Sequence, residues 1–134
     1  MTDTLLVQSV SGRGRLEIKA TNRRSLHVSL SDDDLSGSSE VDQLGGGDGL
    51  HEYWADLARH WRGWSGTREW ESLEGDLALS AGIDRTGHVA LKVTLQHEAP
   101  WRWQVQIILA VEAGQLEGIA AAVLAFCRAR GAAA

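Results

Sequence analysis

The chain is poor in the features that most often betray a function. It has one cysteine, one proline, one phenylalanine and one tyrosine. A lone Cys127 cannot close an internal disulfide, so nothing points to an oxidising compartment. With one proline, 43% hydrophobic and 23% charged residues, the composition is that of a globular protein and not of a disordered or collagen-like one. Basic residues are also scarce: 13 Lys and Arg stand against 18 Asp and Glu, a formal net charge of -5. Phosphate backbones are bound by clustered cations, so nucleic acid is not an expected partner, whereas an acidic chain suits a basic protein. The opening MTDTLLVQSV places Asp3 early and contains no long apolar run, which reads as neither signal peptide nor membrane anchor. The expected location is cytoplasmic, with no membrane partner.

Motifs that carry chemistry are equally sparse. No HxH, HExxH, CxxC, GxSxG, GxGxxG or Walker-type stretch occurs, and GGGDG lacks the Lys and Ser/Thr of a phosphate loop. His51 and His60, nine residues apart, fall on opposite faces of one expected helix and cannot share a metal. DDDLSGSSEVDQ begins like an EF-hand loop, but Gln43 occupies the place of the bidentate glutamate, and a solvated charge run explains the stretch better. Glu69 and Glu71 share a side if their segment is extended, as do Glu74 and Asp76, yet general acid–base work requires a pocket that separates two pKa values. Cys127 reads as a small core residue. Catalytic residues, metal and cofactor are therefore expected to be none.

What remains is patterning. The 134 residues suffice for one core, so residues 1–134 read as a single domain. Alternation over Leu16–Ile18–Ala20 and Leu26–Val28–Leu30 predicts two strands joined at TNRRS, with LLVQSV a weaker third. Residues 31–49, polar and rich in Gly and Ser, read as an acidic loop. Leu50, Tyr53, Trp54, Leu57, Trp61 and Trp64 then fall at helical spacing, with Asp48 as N-cap and Gly63 or Gly66 as terminator. Residues 73–83, 89–95 and 101–111 alternate as three more strands, the first two joined through IDRTGHV by a type I turn closed with a left-handed glycine. Leu116, Ile119, Ala120, Val123 and Cys127 form the stripe of a second helix, and residues 131–134 read as a frayed tail. The expected fold is α+β: a mostly antiparallel sheet of about six strands with two helices packed on one face. The helix-free face would carry Arg15, Glu17, Lys19, His27, Lys92, Arg102, Gln104 and Gln106.

Four of the six tryptophans lie in WADLARHWRGWSGTREW, residues 54–70. Core packing explains Trp54 and Trp61 through the helical stripe, leaving Trp64 and Trp70 as the more exposed pair. The alternative is an aromatic cleft formed by Trp61, Trp64 and Trp70 with Arg62 and Arg68, serving a small-molecule binder or an enzyme. The other candidate site is the acidic loop, where Asp32, Asp33, Asp34, Glu40, Asp42 and Asp48 would steer encounter with a basic partner. A self-pairing structural subunit is a third reading, with oligomeric state left open.

WADLARHWRGWSGTREWESLEGDLALSAGIDRTGHVALKVTLQ, followed by WRWQVQIILAVEAGQLEGIAAAVLAF, resembles an actinobacterial family of small proteins of unknown function, distantly similar to immunity proteins of the WapI type. The likeness spans roughly residues 50–126 and rests most on Trp61, Gly63, Trp64, Trp70, DRTGHV and EAGQLEGIA. It implies a non-enzymatic binding protein, an immunity protein that neutralises a cognate toxin nuclease by direct binding.

Overall fold

A computed structural model describes residues 4–21, 25–42, 49–72, 74–97 and 102–133. The elements are β1 (Thr4–Gln8), β2 (Gly14–Ala20), β3 (Ser25–Asp32), β4 (Leu35–Asp42), α1 (Leu50–Arg59), β5 (Arg68–Glu71), β6 (Leu77–Ile83), β7 (His88–His97), β8 (Trp103–Glu112), a 3-10 turn (Ala113–Gln115) and α2 (Leu116–Ala133). The class is α+β and every strand pairing is antiparallel. Among the described residues the strands number eight and form two sheets of four, β1-β2-β3-β4 and β5-β6-β7-β8, where about six in one sheet are expected from alternation alone.

Both missing strands have a physical explanation. β4 is LSGSSEVD, and it occupies most of the segment that reads as a loop. Its core-facing positions are Gly37, Ser39 and Val41, opposite Leu30, Val28 and Leu26 of β3. Two of the three lack an apolar side chain, so the period of two is invisible to hydropathy. The small residues are there because the sheets approach closely: a Cβ on Gly37 would lie 2.9 Å from Val105 Cγ2, and one on Gly14 would lie 2.8 Å from Leu109 Cδ2. β5 is only four residues long, too short for a periodic signal.

The contacts of Val105 with Gly37, Leu109 with Gly14, and Ala110 with Ser9 show β8 crossing the first sheet from β4 to the end of β1. Leu16, Ile18, Val28, Leu30, Leu91, Val93 and Leu109 fill the space between the sheets, each at most 2% exposed. Ser39 Oγ and His97 Nδ1, 2.8 Å apart, tie β4 to β7, and His97 stacks on Trp103 at 5.4 Å. The charged and amide residues expected on one open face are divided: Arg15, Glu17 and Lys19 lie outward on the first sheet, and Lys92, Gln104 and Gln106 outward on the second.

α1 buries Leu50, Trp54 and Leu57, spaced i, i+4 and i+7, and packs on α2, which also meets β1. The helix is shorter than the stripe implies, ending at Arg59 instead of reaching Gly63. His60 ends it, with its ring Nδ1 2.9 Å from the Asp56 carbonyl oxygen and its backbone at φ -106, ψ 32. Asp48, the expected N-cap, lies outside the described residues; Gly49 occupies the cap at φ 83 with no side-chain bond. α2 carries Leu116, Val123, Phe126 and Cys127 into the core and continues to Ala133, past the point where a frayed tail is expected. No described helix is long and apolar enough to cross a membrane.

Candidate functional site

The tryptophan cluster comes apart in three dimensions. Trp54 is core, at 2% exposure, with its ring edge-on to Tyr53. Trp61, cut off from the stripe by the early helix end, is the exposed one at 52%, with the Arg62 guanidinium 5.3 Å from its ring centre. Trp64 and Trp70, the expected exposed pair, are both partly buried against the core. Trp64 donates its indole N–H to the Ala81 carbonyl at 3.0 Å and lies under Arg68 at 5.8 Å. Trp70 pairs across strands with buried Leu79, which puts its ring on the core side of β5. Trp61 and Arg62 line one depression with Arg85 and Glu112; Trp70 borders a different one that shares no residue with the first. Among the described residues, the depressions that Trp61 and Trp70 line are separate, and Trp64 lines neither of them.

The connection after α1 is instead a structural knot. The Tyr53 hydroxyl donates to the Arg68 carbonyl at 2.9 Å, and burial, with the charges of Glu69 and Asp56 nearby, pushes the phenol well above its usual range. Asp56 accepts from Arg68 and, at 3.3 Å, from Arg59. Desolvation acts to raise its pKa, but these hydrogen bonds outweigh it and the carboxyl is held below its ordinary value. Arg68 thus clamps helix to strand, which occupies it structurally.

IDRTGHV forms the turn that its residues imply. Gly87 adopts φ 85, its N–H donates to the Asp84 carbonyl at 3.2 Å, and the Asp84 N–H donates to the His88 carbonyl at 3.0 Å. Asp84 Oδ1 accepts from the His88 N–H at 3.0 Å, and from the Thr86 hydroxyl and N–H at 2.8 Å each. The backbone bond from His88, then the Thr86 hydroxyl, hold the Asp84 pKa at about 2, below its ordinary 3.8. Folding therefore lowers this pKa, so the stability it contributes is complete above 3.8 and is lost as pH falls through about 2. A carboxyl-carbon NMR titration should give Asp84 a midpoint near 2; a midpoint near 3.8 would show that the bonds are not maintained in solution.

The open face of the second sheet holds a shallow trough of about 480 Å³. Its floor is Ala78 and Ser80 of β6; Glu69 and Glu71 of β5, which do share a side, form one wall, and Lys92 and Thr94 of β7 form the other. Gln104 donates to the Gln96 side-chain oxygen at 2.6 Å and Gln106 to the Thr94 hydroxyl at 3.1 Å, so both amides are already engaged along the trough.

The acidic residues separate into two groups. Asp32, Asp33 and Asp34 gather at the tip of the β3–β4 hairpin, where Asp33 takes the left-handed φ of 45 that an aspartate tolerates better than most residues. Glu40 lies at the other end of β4, roughly 17 Å away at about 3.3 Å per residue. There it meets His27 Nδ1 at 3.1 Å and accepts from the Thr21 hydroxyl at 3.2 Å. The Asp42 side chain and all of Asp48 fall outside the described residues.

At the tip, charge and apolar surface meet. Leu35 is 46% exposed and Ile108 of β8 is 61% exposed, and residues 32–35 face residues 106–108 across a notch of about 600 Å³. Arg13 is the one basic group within ion-pair distance of the three aspartates among the described residues, at 3.7 Å from Asp33, and both partners are well solvated. Hydropathy conceals this site, since Ile108 sits at an outward position of a strand whose other face supplies the core. Among the described residues, no group of three or more His, Cys, Asp or Glu is placed to hold a metal ion.

Among the described residues, two antiparallel sheets, two helices and a hairpin tip that presents acid beside exposed aliphatics define an α+β domain with a candidate surface patch. The chain belongs to DUF6228, a family of unknown function, whose family model matches residues 10–130. No curated protein and no solved structure matches it.

Proposed function

We propose that this protein binds a basic protein partner through the tip of its β3–β4 hairpin and acts by occupying that partner, without catalysis. The observation that carries the reading is the grouping of Asp32, Asp33 and Asp34 beside exposed Leu35 and Ile108. Carboxylates at a rim accelerate encounter with a cationic surface, and adjacent aliphatics supply the desolvated contact that slows release. A net charge of -5 extends the same attraction over the whole molecule. The resemblance of residues 50–126 to a small-protein family that is distantly similar to immunity proteins of the WapI type suggests that the partner is a toxin, a nuclease whose own substrate site is basic. The reading places the protein in the cytoplasm, where such a toxin would act.

Converting Asp32, Asp33 and Asp34 to Asn should slow association with the captured basic partner about tenfold at low ionic strength, with the difference shrinking as salt is added. Stopped-flow or surface-based kinetics reads this directly. An on-rate unchanged at low salt would remove the hairpin tip from the interface.

A further inference from the structure

We propose that the outer edge of β8, from Gln104 to Ile108, receives an extended, lysine- or arginine-bearing segment of the partner as an added strand. The proposal rests on the reading of the hairpin tip as a docking site for a basic protein, and it specifies the mode of docking.

The backbone establishes which groups are offered. Ala110 directs both its polar groups away from β7: its N–H donates to Ser9 Oγ at 3.0 Å and its carbonyl accepts from the Val10 N–H at 2.8 Å. In an antiparallel pair, N–H and C=O of one residue point to the same side and alternate along the strand. Gln104, Gln106 and Ile108 therefore direct their N–H and C=O outward with Ala110. Among the described residues β8 has no strand neighbour except β7, and these three residues have no loop backbone partner. Ser9 and Val10 already pair with the far end of this edge, so an added strand would extend a ladder that the chain itself begins.

The surroundings fit one kind of occupant. Among the described residues the exposed large hydrophobics are Leu6, Val10, Leu35, Trp61 and Ile108, and three of them, Val10, Leu35 and Ile108, flank this edge. Asp32, Asp33 and Asp34 stand across the notch from Gln106 and Ile108. An extended segment alternating apolar and basic side chains would put aliphatics against Leu35 and Ile108 and cations near the aspartates, the arrangement used in recognition by strand addition. A second copy of this chain fits poorly. Pairing β8 with β8 about a two-fold axis would bring both aspartate tips to one junction, where like charges repel.

The test uses a fluorescein-labelled ten-residue peptide of alternating valine and lysine, and the same peptide with alternate backbone amides N-methylated. The methylated peptide keeps the charge and loses the donors on one edge. Fluorescence anisotropy should show the unmodified peptide binding and the methylated one binding about tenfold more weakly. Hydrogen exchange should report protection of the Gln104, Gln106 and Ile108 amides on binding. Gln106→Pro removes an outward N–H and leaves the β7 ladder intact, a placement that edge strands tolerate; it should abolish peptide binding with circular dichroism unchanged. If that variant unfolds, the methylated peptide still decides the matter. Equal binding of the two peptides would overturn strand addition and leave charge-driven docking standing. Binding that survives Asp32, Asp33 and Asp34→Asn but requires the backbone donors would keep strand addition and overturn the acidic tip. No binding of either peptide, or light scattering that shows the chain self-pairing through this edge, would overturn the proposal.

Discussion

Replacing Trp54 with alanine should lower the free energy of unfolding by about 3–5 kcal/mol, the cost of deleting a large buried aromatic from a core that collapses only partly around the hole. Trp54 is 2% exposed at the centre of the buried face of α1, between Leu50 and Leu57. Domain stabilities run to about 5–15 kcal/mol in total, so this single change consumes a large share. Trp61→Ala is the matched control. Its ring is 52% exposed and touches Arg62, an exposed cation–π contact worth about 0.5–1 kcal/mol. Urea denaturation of both variants, with unchanged slopes, should therefore separate two tryptophans seven residues apart on an apparently continuous stripe. Similar losses for both would mean that α1 continues through Trp61 and that its end at Arg59 is wrong.

Gly37→Val should destabilise by about 2–3 kcal/mol, although valine is the better strand former and glycine the more entropic residue in the unfolded chain. The new Cβ would stand 2.9 Å from Val105 Cγ2 and 3.9 Å from the Trp103 ring, where β4 packs against β8. Val105 is a short, stiff side chain that cannot swing clear. Val105→Ala in the same chain should recover much of the loss, a favourable coupling that a double-mutant cycle exposes. A loop glycine behaves in the opposite way: valine there would be neutral or mildly stabilising. The sign of this one change thus decides whether residues 35–42 are strand or loop.

Those two residues also show what could be read from the chain and what could not. Strands with aliphatics on every inward position, such as Leu91, Val93 and Leu95, were legible because one face is buried and hydropathy records it. The Asp84–Gly87 turn was legible because its chemistry is local: one carboxylate caps three donors and glycine alone takes φ 85 at ease. β4 was not, because its inward positions answer to distant strands, Gly37 to Val105 and Ser39 to His97, 58 residues on, which ask for smallness at one and a hydroxyl at the other. The end of α1 was hidden because the backbone leaves helical geometry at His60, φ -106 and ψ 32, while the apolar spacing continues on paper to Trp64.

The candidate site was legible in half. Asp32, Asp33 and Asp34 were identifiable as an acidic group, and their position at a tight hairpin tip follows from a strand register that hydropathy does not show. Glu40 was grouped with them by sequence proximity and is separated by the length of β4. Ile108 and the outward backbone of β8 carry no sequence signal. Only the crossing of β8 beneath the first sheet, and the bonds from Ala110 to Ser9 and Val10, reveal them.

The measurement that bears most directly on the central claim is paired capture from native-host lysate, using as baits the tagged protein and its Asp32, Asp33 and Asp34→Asn variant, with recovered proteins quantified by isotope-ratio mass spectrometry. A basic protein should be recovered in stoichiometric amount by the unaltered bait and depleted about tenfold or more by the variant. Identical recovery by both baits would contradict that claim and take the hairpin tip out of the binding surface.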